Sequence, residues 1–231
     1  MRTYQEHNRI SAVIPALNAA ETLAPAVAAL NAAAIVKEVI VVDGGSSDET
    51  VFVSRAAGAR VIGAPRGRGS QLAVGAAAAS ADWLLFLHAD CRLQYGWEQA
   101  VGNFIGAPDA QSRAGYFDFA LDDPAPAARR LERIVAWRCR VLALPYGDQG
   151  LLIARCLYDG IGGFALLPLM EDIDLVRRLG RHRLARIGVR CVASAHRYRR
   201  DGYWRRPLRN LFCLSLYLAG VSPERIVRLY G

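Results

Sequence analysis

Three short apolar runs in the first half of the chain stop abruptly at polar or glycine residues. Residues 10–14 are followed by Pro15 and Asn18, residues 39–42 by Asp43–Gly44–Gly45, and residues 83–87 by His88–Ala89–Asp90. A fourth, shorter run covers residues 60–63. Between them lie Ala-rich stretches of helical length: residues 21–34, a segment capped by Ser47 and Asp48 and running to about Ala57, and residues 67–80. An unbroken apolar run, rather than an alternating one, reads as a strand buried on both faces. Such strands separated by helices predict a largely parallel sheet with helices on both sides. Ligands of these sheets bind beyond the carboxyl ends of the strands. The polar residues at those ends are Asn18, Asp43, Asp48, His88 and Asp90.

The second half predicts strands over residues 114–121, 151–154 and 186–193 and helices over 126–142, 170–179, 204–218 and 223–230. Residues 161–164 read as a turn. No repeat or linker interrupts the chain, so residues 1–231 are expected to form one domain with a C-terminal helical extension.

Composition narrows the function classes. With 53% hydrophobic residues the chain can bury a core and is not disordered. The five cysteines are scattered and form no CxxC pair, against a zinc site or disulfide framework. Residues 1–8 lack the apolar stretch of a secretory signal, and the late run 211–221 is too short to span a bilayer, so a cytoplasmic protein is expected. The formal charge is +8, from 29 basic and 21 acidic residues. It is unevenly placed: residues 176–231 hold fourteen arginines against two acids, while residues 1–175 are net acidic. No nucleic-acid recognition motif accompanies this charge. The 204–217 segment, with Arg205, Arg206 and Arg209, suits an interfacial helix near lipid headgroups, a dimer contact, or packing on the domain.

Three constellations carry the chemistry. Asp43 to Asp48 joins a strand to a helix. Its carboxylates suit ring N–H groups or ribose hydroxyls, or they cap the helix, and Gly44 lets the backbone approach a flat ligand. His88–Ala89–Asp90 suits a divalent cation on a diphosphate, because Mg²⁺ and Mn²⁺ take few protein oxygens plus phosphate and water; capping a turn is the plainer use of Asp90. Glu171–Asp172 opens a helix, where a carboxylate is stabilised as the anion. The chain has no GxxxxGK[ST] loop and no dinucleotide fingerprint after the first strand, although Arg66 and Arg68 ahead of a helix suit a phosphate or base.

In this order the motifs resemble family 2 glycosyltransferases of the GT-A type. The matching pieces are Val13–Ile14–Pro15 with Asn18 and Glu21, residues 41–50, residues 86–90, Gly162–Gly163–Phe164 and Glu171–Asp172. The resemblance spans residues 10–200, and the Leu87–Asp90 run with the ending at 219–225 is similar to a bacterial subgroup, the radical-SAM/selenodomain-associated transferase 2 proteins. It implies a Rossmann-like sheet, a nucleotide-diphospho-sugar donor, Mg²⁺ or Mn²⁺, and transfer with inversion to an acceptor hydroxyl. It further implies a donor-binding half in residues 1–110, an acceptor and catalytic half in 111–200 and the extension in 201–231. Carried over by position, Pro15, Asn18, Glu21, Asp43, Gly44, Asp48 and Arg68 would surround the donor, Asp90 with His88 would hold the metal, and Asp172 beside Glu171 would be the base. His88 departs from the acid common at that place, and His196 to Arg200 only loosely echo a later family motif. A nucleotidyltransferase would need a Gly-rich basic loop where Pro15–Ala16–Leu17–Asn18 stands; a sugar-nucleotide-binding protein without transfer is the other rival.

Overall fold

The computed structural model describes residues 9–230; the polar stretch 1–8 lies outside them. Eight strands among these residues form one sheet: β1 (Ile10–Ala16), β2 (Val36–Asp43), β3 (Arg60–Gly63), β4 (Trp83–Phe86), β5 (Cys91–Leu93), β6 (Ala114–Leu121), β7 (Leu151–Ala154) and β8 (Leu184–Ala193), in the order β3-β2-β1-β4-β7-β6-β8-β5. The helices are α1 (Ala20–Asn31), α2 (Thr50–Ala56), α3 (Arg68–Ala78), α4 (Trp97–Ile105), α5 (Pro126–Leu142), α6 (Arg155–Gly160), α7 (Glu171–Leu179), α8 (His196–Asp201), α9 (Arg205–Leu218) and α10 (Pro223–Tyr230).

The expected parallel pairing holds for β3-β2-β1-β4 and for β6-β8. The sheet is mixed because β7 runs antiparallel to both β4 and β6, and β5 antiparallel to β8. Alternate residues of the buried strands feed opposite layers. Ile10, Ala12 and Ile14 pack with Leu23 and Val27 of α1, and Val13, Ile40 and Val42 with Leu72 and Ala76 of α3. A third cluster joins Leu169, Met170 and Ile173 to Cys213, Leu214 and Ile226, seating the C-terminal helices on the domain.

Two local expectations change. Pro15 does not break the first strand; β1 continues to Ala16, paired with β2. Pairing with β4 stops at Val13, so on that side no ladder bond is lost to the missing N–H of Pro15. The helix expected at 21–34 ends at Asn31.

The open ends of β1 and β2 are tied from below. The Gln71 side chain, on α3 and 3% exposed, donates from Nε2 to the carbonyls of Ala16 and Val42, each at 2.8 Å. The close approach of α3 requires glycine at two places: a Cβ on Gly75 would overlap the side chains of Val13 and Val42, and one on Gly69 the backbone of Ala165 and Leu167. Replacing Gln71 by Leu keeps the volume but leaves both carbonyls without the amide. The variant is expected to lose about 2 kcal/mol of stability, read by chemical denaturation; an unchanged midpoint would contradict this tie.

Candidate active site

The loops leaving β1 and β2 are stitched together. Asn18 sits in the left-handed region, at φ 48°, which its short amide side chain tolerates. Its Oδ1 accepts the N–H of Ser47 at 2.9 Å, and its own N–H donates to Ser46 Oγ at 2.9 Å. Asp43 accepts the N–H groups of Gly45 and Ser46 at 3.0 and 3.1 Å, and the Ser46 hydroxyl. Asp48 accepts from Ala20 N–H at 3.2 Å and Thr50 N–H at 3.0 Å, and its carboxyl lies below the ordinary range, chiefly through the Thr50 hydroxyl. Asp43 thus shapes the turn, while Asp48 ties the start of α1 to Thr50, the first residue of α2; the expected cap by Ser47 and Asp48 gives way to Glu49 at the N-cap position, without a side-chain cap bond. A Cβ at Gly44 would press on the Gln71 amide.

Beyond the strand ends lies a cavity of about 1140 Å³. It brings together Pro15, Asn18, Glu21, Asp48, Arg68, His88, Asp90 and Asp172 from the expected set, and adds Gln71, Asp148, His196 and Arg197. Asp43, Gly44 and Glu171 do not line it.

His88 and Asp90 follow β4. Arg68 Nη1 lies 2.9 Å from His88 Nε2. A guanidinium can only donate, so Nε2 accepts and the ring proton is on Nδ1, 3.7 Å from Asp90 Oδ1. Arg68 thus engages Nε2, and Nδ1 is the ring nitrogen that faces Asp90. Burial alone would raise the Asp90 carboxyl; the interaction with His88 and the positive charge of Arg197 outweigh it and hold it at about 2. Of the other arginines expected around His196, Arg199 is committed to Asp123 at 2.7 Å and Arg200 to Asp201 at 2.7 Å. Among the described residues no group of three or more His, Cys, Asp or Glu side chains forms a ready-made metal cage.

Glu171 and Asp172 open α7 as expected but face different surroundings. Glu171 is 1% exposed, and its Oε1 meets Arg68 Nε at 3.0 Å. Its Oε2 is buried with no hydrogen-bond partner, and burial raises its carboxyl against the pull of Arg68. The carboxylate braces Arg68. Asp172 accepts the Gly147 N–H on Oδ2 at 2.7 Å and the Ile173 N–H on Oδ1 at 2.8 Å.

The loop that presents Gly147 is the 145–150 stretch, which the sequence offers for the acceptor side, and it depends on Gln149. Its Oε1 accepts from Arg138 at 3.0 Å and from Tyr146 N–H at 3.2 Å, while Nε2 donates to Phe117 O at 3.0 Å. Arg138 also stacks on Tyr146, 3.4 Å from the ring centre. A Cβ at Gly147 would crowd His88 Nε2 and Asp172 Oδ2, so glycine allows the loop to come this close. The neighbouring Asp148 is raised by burial, and its Oδ1 has no hydrogen-bond partner.

No curated protein matches the chain. Among solved structures it is similar to mannosyl-3-phosphoglycerate synthase from Rubrobacter xylanophilus, with a TM-score of 0.61 and 19% identity over 95% of this chain and 77% of that one. It is also similar to glucosyl-3-phosphoglycerate synthase from Mycobacterium tuberculosis. The complex with Mn²⁺, uridine-diphosphate-glucose and phosphoglyceric acid gives a TM-score of 0.56 and 23% identity over 81% and 72% of the two chains. The complex with Mg²⁺ and uridine-diphosphate gives 0.58 and 22% over 82% and 74%. At these identities the likeness speaks for a shared fold, of the GT-A type expected from the motifs. Sequence identifies the family: the model of glycosyl transferase family 2 matches residues 11–167, from β1 almost to α7, and the chain belongs to that family.

Proposed function

We propose that this glycosyltransferase moves a sugar, with inversion, from a nucleotide-diphospho-sugar to an acceptor hydroxyl, with Asp172 as the base. The observation that carries the reading is the single cavity shared by Asn18, Glu21, Asp48, Arg68, Asp90 and Asp172. Its volume of about 1140 Å³ suits a donor together with an acceptor. The uridine-diphosphate-glucose and divalent cations named for the solved relatives support the same ligand classes here.

Within the cavity, Pro15, Asn18, Glu21 and Asp48 hold the nucleoside. Asp43 and Gly44 act one layer back, fixing the loop that presents Asp48. Residues 1–110 thus serve the donor, residues 111–200 the acceptor and base, and residues 201–231 close one wall. Asp90 fits Mg²⁺ or Mn²⁺, because such ions bind through one or two carboxylates plus phosphate oxygens and water. Bound there, the ion supplies positive charge against the negative charge growing on the leaving diphosphate. His88 keeps Asp90 in place, held in turn by Arg68 and Glu171. Arg197 adds positive charge beside the diphosphate.

The acceptor hydroxyl attacks the anomeric carbon from the side opposite the diphosphate, so one displacement inverts that centre. Two N–H groups orient the Asp172 carboxylate. It takes the proton of the acceptor hydroxyl as the new C–O bond forms. The Leu87–Asp90 run and the 219–225 ending support the radical-SAM/selenodomain-associated subgroup.

Asp172→Asn is expected to lower kcat by about 10²–10⁴-fold while calorimetry shows donor binding retained. Full turnover would remove Asp172 as the base; donor binding without cleavage or transfer by the native protein would identify a sugar-nucleotide-binding protein instead. Asp90→Ala is expected to abolish the Mn²⁺-dependent part of donor binding. Calorimetric titrations with and without Mn²⁺ check this, and an unchanged metal dependence would exclude Asp90 from the metal site.

A further inference from the structure

We infer that the outer face of α9, joined by that of α5, docks on the surface of an anionic lipid bilayer. The amphipathic pattern of α9 is turned outward. Its inner face supplies Cys213 and Leu214 to the third cluster. On the other side Trp204, Leu208, Leu211, Phe212 and Leu218 are 52–65% exposed. Separations of three, four and seven residues put them on one stripe. Covering large apolar side chains is favourable, so five left in water on one stripe form a surface that lacks its cover. On α5, Ile134, Trp137 and Val141 form a second exposed stripe. The turn after α5 places Leu144 against the cluster that seats α9.

Charge selects the occupant. No acid occurs within α9, while Arg205 and Arg209 border its stripe. Arg130, Arg133 and Arg140 border that of α5. A second copy docked through this face would oppose arginine to arginine. Nucleic acid would satisfy the arginines but leave the leucines uncovered. An anionic bilayer takes both, with apolar side chains at the acyl boundary and arginines among the headgroups. No helix among the described residues is long and apolar enough to cross a membrane, so α9 lies on the surface. Arg206, Asn210 and Leu214, on its inner side, line the cavity that holds Asp90 and Asp172. One helix diameter, about 10–12 Å, therefore separates the cavity from the lipid.

The test needs no turnover and is independent of the transfer reaction. The full chain is sedimented with vesicles of phosphatidylcholine alone and of phosphatidylcholine mixed with phosphatidylglycerol, and compared with the Leu208→Glu, Leu211→Glu double variant. Both side chains are exposed, so the variant is expected to keep the native circular dichroism and Tm. The native chain should sediment with the anionic vesicles, with a blue shift of tryptophan emission, and the variant should bind at least about tenfold more weakly. Native protein left in the supernatant would overturn the inference. So would a native dimer that the variant dissociates without any vesicle binding, or salt-sensitive binding that survives the double substitution.

Discussion

The site hangs on one helix crossing beneath the ends of two parallel strands. Where β1 and β2 end, the carbonyls of Ala16 and Val42 lie away from water, and an unsatisfied buried carbonyl is costly. Gln71 reaches both from a single amide nitrogen, adding to the Gly44 N–H that Ala16 O accepts at 3.0 Å. That fixes α3, and α3 carries the rest. One turn earlier Arg68 reaches Glu171 and His88, and Gly69 N–H donates to Leu167 O at 3.3 Å. The donor loops, the metal motif and the start of α7 are therefore positioned by one rigid element whose approach is licensed by Gly69 and Gly75. A substrate site assembled on such an element is more closely defined than one built on loops alone.

Charge around the cavity is sorted by environment. Asp90 is held at about 2 beside His88 and Arg197, so it is anionic at any physiological pH. Asp148 and Glu171 are pushed the other way by burial. Removing a charge from water costs more than a distant cation returns, and only Glu171 has a guanidinium in contact. Asp172 differs from all three because backbone N–H groups, rather than charges, hold it. Its carboxylate is oriented without being neutralised by an arginine.

What the sequence disclosed follows from the physics of burial. Strands covered on both faces must be apolar throughout, so β1, β2 and β4 stood out, and the polar residues at their ends marked the cavity. Pairing direction leaves no such trace: 151–154 is equally apolar whether it runs with or against β4, and the mixed sheet became visible only in three dimensions. Gln71 was hidden for a similar reason. A polar residue in an Ala-rich helix looks like a solvent contact until two strand ends are seen above it. Glu171 and Asp172 are adjacent and chemically alike, and the rotation of about 100° per helical residue sends one to Arg68 and the other to the cavity. His88 was legible as a member of the motif, while its bond to Arg68 joins residues twenty positions apart.

The C-terminal helices show the limit of periodicity most clearly. A period near 3.6 establishes that a helix has two faces; it does not say which is covered. In α9 the domain takes the narrower side, through Cys213 and Leu214, and leaves the broader apolar side outward. The covered side matters for the site as well. Its cluster contains Met170 and Ile173, which flank Glu171 and Asp172, and Met170 holds the left-handed φ of 66° that starts α7. A non-glycine residue keeps that conformation only where its surroundings impose it. The packing of α9 and α10 against Met170 is such a constraint, so the helices that present the basic, apolar surface also fix the residue preceding the Glu171–Asp172 pair.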